Sequence, residues 1–216
     1  MLFVRHATTL AMREPRFPSG LPAGCAPASE DADSSSLARV IRLAVEPGTR
    51  AFVSPAPAAA QTAAALGLVP VVVTALAEAD LGRWGGLPYR TVAAEEPEGL
   101  ARWLADPDAA PHGGETLAEL TARVARWLDS THPHTPAHTG AAPNGEGAAT
   151  PGVDGAAGGG RVVVVCDAGV IRAALGHVLG IEPGRAGLID LAPLSTTELT
   201  AAREGWRVAH VNRKVP

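Results

Sequence analysis

Arg5 and His6 follow directly on the apolar run Leu2-Phe3-Val4, and the small residues Ala7, Thr8 and Thr9 come straight after them. If the run is a buried strand, the pair emerges at its carboxyl end, where open α/β sheets bind ligands. A guanidinium beside an imidazole suits an oxyanion. Arginine forks onto two oxygens, and a neutral imidazole nitrogen can attack phosphorus. The plainer reading is an inherited histidine hydrogen-bonded at a strand end, with Arg5 paired to the carboxylates of Asp167 and Glu78. Asp167 also has a local explanation, because it directly precedes a helical stretch and Asp is a favoured helix N-cap. Cys166 ends an apolar run and reads as a packed thiol, with nothing beside it on the chain to make it a low-pKa nucleophile.

The elements that must position these groups alternate between strand and helix patterns. After the first strand, residues 12–32 are rich in Pro, Gly, Ser and Ala and read as a long loop. A helix is expected next, with Asp33 or Ser34 as cap and Leu37, Val40, Ile41 and Ala44 on one face. Residues 50–54 and 69–73 read as strands, separated by an Ala-rich helix through Gln61, Thr62 and Leu66. A loop at 81–88 leads to a helical stretch carrying Leu100, Trp103 and Leu104. Thr116 and Glu119 have capping-box spacing before an apolar stripe of Leu117, Leu120, Val124, Trp127 and Leu128.

Residues 131–160 then lose every periodicity, and their composition predicts a disordered Gly/Ala/Pro-rich insertion inside one domain spanning 1–216. Its histidines, His132, His134 and His138, read as solvated, with adventitious metal binding the minor alternative. Residues 161–166 are the most strand-like run, followed by a helix with Val170, Ile171, Ala174, Leu175, Val178 and Leu179 inward. Short strands at 188–191, 197–201 and 206–211 close the pattern. Strands alternating with helices favour a largely parallel sheet covered on both faces. Arg5, His6, Glu78 and Asp167 each fall at or near a strand's carboxyl end, so they are expected to share one cleft.

The 216 residues suffice for one sizeable α/β domain. A formal charge of −4 gives no polybasic footprint for nucleic acid or an anionic membrane; the expected partner is a small anionic molecule, which a locally positive pocket can hold within an acidic protein. The two cysteines, Cys25 and Cys166, form neither a disulfide framework nor a metal-binding pair. No charged start precedes an apolar stretch, and no apolar run reaches spanning length, so a soluble cytoplasmic protein is expected. No cofactor and no metal are expected; a Zn²⁺ or Mn²⁺ site from His6, Glu78 and Asp167 is the minor alternative.

Five blocks, in order, resemble the histidine phosphatase (phosphoglycerate mutase-like) superfamily. The opening Arg5-His6-Ala7 resembles its Arg-His-Gly signature. Ser54-Pro55 leading to Gln61-Thr62-Ala63 resembles the second block, and the stretch from Leu76 through Glu78, Gly82 and Trp84 to Gly86 resembles the acid-bearing block. Gly114-Glu115-Thr116 resembles the turn before the following helix, and residues 162–172 resemble the closing block. The resemblance implies a three-layer α/β/α sandwich with a mostly parallel central sheet. It also implies a mechanism in which one histidine attacks phosphorus, two arginines and a second histidine neutralise its oxygens, and a glutamate protonates the leaving group. On that reading His6, Glu78 and Asp167 occupy catalytic positions, and Arg5, Thr8 and Arg83 bind substrate.

The chain departs from that pattern at four places. Ala58 stands for the second arginine, Asp167 for the second histidine, Met12 for a phosphate-binding Asn, and Gly85 for the Glu of a Trp-Glu-Gly segment. Losing one transition-state donor commonly costs about 10²–10³ in rate. Ordinary phosphatase turnover is therefore expected to be strongly impaired, unless a loop arginine such as Arg83 or Arg90 swings in. Glu115 is expected to act structurally in the first turn of its helix, and Trp84 to anchor packing rather than to serve as a lid.

Three functions fit these residues. One is a weak or narrow phosphohydrolase acting on a small phosphate monoester through a phosphohistidine. A second is a repurposed enzyme using His6, Glu78 and Asp167 for acid–base chemistry, such as dehydration or cyclisation of a metabolite. A third is a catalytically silent protein that binds a ligand.

Overall fold

A computed structural model describes residues 1–21, 24–39, 48–133 and 161–214. In chain order the elements are β1 (Leu2–Arg5), α1 (Leu10–Arg13), α2 (Ser34–Leu37), β2 (Arg50–Val53), α3 (Pro57–Ala65) and β3 (Val71–Val72). They continue with α4 (Tyr89–Glu95), α5 (Pro97–Ala105), α6 (Leu117–Ser130), β4 (Val162–Cys166), α7 (Ala168–Leu179), α8 (Pro183–Ala186), β5 (Thr196–Ala202) and β6 (Gly205–Arg213). The six strands form one sheet in the order β3-β2-β4-β1-β5-β6. β1 to β4 run parallel, while β5 runs antiparallel to β1 and pairs with β6 as a hairpin.

Side-chain alternation divides the sheet's two faces, as the two-residue period of a strand requires. Leu2, Val4, Val163 and Val165 pack with Ala59 and Ala63 of α3. Phe3, Val164 and Cys166 face the other way, into a larger core with Leu120, Val124 and Leu128 of α6 and Val170, Ile171 and Leu175 of α7. Helices thus cover both faces, giving the α/β/α sandwich with a mostly parallel sheet. α6 begins with a complete capping box: the Glu119 N–H donates to Thr116 Oγ1 at 3.0 Å, and the Thr116 N–H donates to Glu119 Oε2 at 2.9 Å. α7 stops at Gly180, whose φ of 64° is the left-handed conformation that glycine adopts most cheaply. Its last residue, Leu179, is exposed rather than inward-facing.

Residues 188–191 do not form the expected strand. The place beside β1 is taken by β5, with Leu2 opposite Glu198 and Val4 opposite Thr196. The N–H groups of Leu188 and Ile189 instead close turns onto Arg185 and Ala186. The carbonyls of Ile189 and Leu191 are used by side chains described below. The helix expected from Asp33 is described only as the short α2, capped by Asp33 accepting from the Ser36 N–H at 3.0 Å; Val40, Ile41 and Ala44 lie outside the described residues. Of the segment 131–160, residues 134–160 lie outside them too, with His134 and His138. His132 is not solvated as expected: its Nε2 lies 3.0 Å from the Gly205 carbonyl, and its ring meets Trp206 edge-on.

Candidate active site

The register of three neighbouring strands assembles the centre of the site. Arg5 pairs with Cys166 across β1 and β4, and Val53 pairs with Val165 across β2 and β4. The next residue on each strand is therefore His6, Asp167 or Ser54. The His6 N–H donates to the Cys166 carbonyl at 3.1 Å, and the Ser54 N–H to the Val165 carbonyl at 3.0 Å, extending the ladder by one step. All three side chains then meet at the strands' carboxyl ends, with Asp167 in the middle.

His6 is buried, and its Nδ1 lies 2.7 Å from the Ala7 carbonyl oxygen. A carbonyl only accepts, so Nδ1 carries a proton. Nε2 lies 3.0 Å from Asp167 Oδ1, and Ser54 Oγ donates to Asp167 Oδ2 at 3.2 Å. Burial works against a charged imidazole, but the charge and hydrogen bond of Asp167 outweigh it and raise the His6 pKa. Burial likewise opposes an ionised Asp167, yet His6, Ser54 and Arg5 hold it below the usual carboxylate range. Each partner thus favours the charged form of the other, imidazolium beside carboxylate. The side chain of Asp167 makes no capping bond to α7, so the local N-cap explanation fails for the carboxylate, although the backbone of Asp167 does begin the helix.

Glu78 approaches from the segment after β3. Its Oε1 accepts from the Ala79 N–H at 2.9 Å, and its Oε2 from the Gly169 N–H at 3.0 Å in the first turn of α7. A side chain at position 169 would put its Cβ 2.1 Å from Glu78 Oε1, so only glycine lets the carboxyl dock there. Burial and the negative charge of Asp167 push the Glu78 pKa up to about 7, against the two N–H bonds and Arg172. Such a group can hold and release a proton at neutral pH.

Arg5 lies beside this centre without a carboxylate partner among the described residues. Its Nη1 donates to the Leu191 carbonyl, Nη2 lies 4.0 Å from Met12 Sδ, and Nε is buried without a partner. Burial and the nearby charge of Arg172 both disfavour its protonated form. Of the two readings of Arg5, anion binding or pairing with Asp167 and Glu78, the pairing is not made by any hydrogen bond or ion pair. Arg172 Nε donates to the Ile189 carbonyl at 3.0 Å.

Arg5, His6, Glu78 and Asp167 share one cavity, as expected, and Arg16 and Arg172 join them. Arg172 lies in the closing block, one helical turn beyond Ala168, which is the signal that could have found it. Arg16 lies in the Pro-rich loop without any periodicity to mark it; its Nε donates to Glu14 at 2.9 Å and its Nη1 to the Gly86 carbonyl at 3.2 Å. A small adjoining cavity of about 80 Å³, which shares His6, Glu78, Asp167 and Arg16 with the larger one, is lined in part by Ala58.

Arg83 is not in the site. It is exposed and forks onto Glu96, whose Oε1 also accepts from the buried Trp84 Nε1 at 3.0 Å. That carboxylate satisfies its charge where it stands, and Trp84 is a packing anchor. Arg90 is exposed and lines neither cavity. Thr8 also lines neither; its N–H donates to Ser36 Oγ at 3.1 Å and its carbonyl accepts from the Asp33 N–H at 2.7 Å, while Thr9 lines the small cavity. Glu115 is tied to Arg123 by two hydrogen bonds of 2.8 and 2.7 Å, the structural role expected of it. Among the described residues no group of three or more His, Cys, Asp and Glu side chains is arranged to hold a metal ion, and no helix is long and apolar enough to cross a membrane.

The family model described as the histidine phosphatase superfamily (branch 1) matches residues 1–142 and 148–214. A bifunctional protein of Mycobacterium tuberculosis is 41% identical over 71 residues, which are 33% of this chain and 20% of that protein. A glucosyl-3-phosphoglycerate phosphatase of the same species is 42% identical over 57 residues, 26% of each chain. The chain therefore spans only about a fifth to a quarter of these relatives' lengths in the matched stretches. Among solved structures, a mycobacterial glucosyl-3-phosphoglycerate phosphatase superposes with a TM-score of 0.71 at 23% identity, covering 99% of this chain and 98% of that one. The alpha-ribazole phosphatase of Shigella flexneri superposes with a TM-score of 0.73 at 15% identity, covering 100% and 97%.

Proposed function

The chain belongs to the histidine phosphatase superfamily, and from that premise we propose that it is a divergent member, a weak or narrow phosphohydrolase of small phosphate monoesters. The observation that carries this reading is the placement of His6. Its Nδ1–H is spent on the Ala7 carbonyl, so Nε2 is the nitrogen turned toward the cavity that Arg5, Glu78 and Arg172 share. In the reaction, the Nε2 lone pair attacks phosphorus and the leaving alkoxide takes the proton of Glu78. Water then hydrolyses the phosphohistidine, with Glu78 returning as base.

Three features make the turnover weak. Nε2 carries a proton while it is bonded to ionised Asp167, so it has no lone pair until that pair opens. Asp167 also faces the phosphate with a like charge. The second arginine of the family pattern is replaced by Ala58, and Arg16 and Arg172 are the cations available to offset it. The test is hydrolysis of 4-nitrophenyl phosphate by the wild type and by His6→Ala, with acid-quenched samples probed for phosphohistidine. Slow turnover that disappears in His6→Ala is expected; turnover indifferent to that change overturns the reading.

The His6–Asp167 bond and the raised pKa of Glu78 favour a second reading, acid–base chemistry on a metabolite without phosphoryl transfer. It leads if the wild type binds phosphate monoesters but never forms phosphohistidine.

A further inference from the structure

Resting on the phosphohydrolase reading for the position of the phosphate, we infer that the substrate is the monoester of a bulky, mostly apolar alcohol rather than of a sugar or polyol. The cavity that begins at His6, Glu78 and Asp167 extends well beyond them, with a volume of about 530 Å³. That is the range of pockets that bury drug-sized molecules, roughly 300–1,000 Å³. A phosphate with a three-carbon body would leave most of it empty.

Away from the charged end, the walls come from Phe17, Trp103, Leu117 and Leu120. Leu104 and Leu188 also line it, and they are 58% and 79% exposed, which places them at the mouth. Leucines held open to water beside a cavity are explained if a ligand's apolar body covers them.

Away from the charged end, the polar side chains of the lining offer little to a polyol. Thr121 spends its hydroxyl proton on the Leu117 carbonyl at 2.8 Å. Arg16 and Arg172 belong to the charged end, where they serve the phosphate rather than the alcohol. A sugar entering here would lose water from each hydroxyl and find few partners in exchange, which costs free energy. An apolar body loses nothing of that kind. The positive groups at the inner end take the phosphate, and the apolar wall selects what it is attached to.

The test compares 1-naphthylmethylphosphonate, which cannot be hydrolysed at its C–P bond, with sn-glycerol 3-phosphate, both titrated calorimetrically into the wild type. The naphthyl compound is expected to bind at least about tenfold tighter, a difference of about 1.4 kcal/mol. Leu188→Asp and Leu104→Asp, each at an exposed position, should bring the affinity ratio toward unity. Equal affinities, a preference for glycerol phosphate, or a ratio unmoved by both variants would overturn the inference. Hydrolysis of 1-naphthyl phosphate separates it from the reading it rests on. Preferential binding without hydrolysis keeps the apolar cavity and removes the phosphohydrolase; hydrolysis of both monoesters at equal kcat/KM does the reverse.

Discussion

Replacing Asp167 by Asn should convert His6 from a paired cation into a neutral base. The two side chains are 3.0 Å apart and both are largely buried. At an effective dielectric near 20, a unit-charge pair at that distance is worth about 5 kcal/mol before desolvation is subtracted. Burial is the largest influence on His6 and acts in the opposite direction, so the net effect is much smaller. Opposite charges at such range typically shift a pKa by about 1–3 units, at 1.36 kcal/mol per unit. The His6 pKa should therefore fall by about that much in Asp167→Asn. The neutral ring keeps its proton on Nδ1, because the Ala7 carbonyl still requires it. Nε2 then holds a lone pair at neutral pH, and the site no longer turns a carboxylate toward the phosphate.

The assay has two arms. Ring-nitrogen NMR of labelled histidine, assigned with His6→Ala, follows the pKa. Hydrolysis of 4-nitrophenyl phosphate follows the chemistry, with a gain of about tenfold or more expected at pH 7 from the larger lone-pair fraction. The reasoning is refuted if the His6 pKa stays within about half a unit of wild type. It is also refuted if the pKa falls as expected but hydrolysis declines, because Asp167 would then assist the reaction rather than restrain it.

Glu78 should leave a signature in stability. Its folded pKa of about 7 lies above the usual value of 4.5, so the stability from its neutral form is complete below about pH 4.5 and is lost as pH rises through 7. Urea titrations across pH 4.5–8 should show this loss in the wild type and a flatter profile in Glu78→Gln; identical slopes would refute the shift, and Glu78→Gln should also lose about 10²-fold or more in turnover with a poor leaving group. Gly169→Ala should push the Glu78 carboxyl off the start of α7, because the new Cβ would stand 2.1 Å from Oε1. A loss of about 1–3 kcal/mol in chemical denaturation is expected, and turnover should fall in the direction of Glu78→Gln; wild-type behaviour in both would show that the carboxyl docks elsewhere.

Much of the fold was legible in the sequence because it rests on local chemistry. The unbroken valine run ending in Cys166, the capping box at Thr116 and Glu119, and the apolar stripe of α6 each specify their element from neighbouring residues alone. The order of the five family blocks also placed His6, Glu78 and Asp167 at strand ends and in one cleft. What those side chains do to one another was set by strand register, which the sequence does not display. Pairing Arg5 with Cys166 puts His6 beside Asp167, and so a residue with every local reason to cap α7 becomes the partner of a histidine 161 positions away. Arg83 looked like a candidate cation from its block, but Glu96, on the turn before α5, captures it. Residues 188–191 carry a strand's composition, yet β5 fills the side of β1 that β4 leaves open, and their carbonyls receive Arg5 and Arg172 instead. Local interactions decide which elements form; which arginines are free to meet a ligand depends on acceptors supplied from distant parts of the chain, and only the packed structure brings those together.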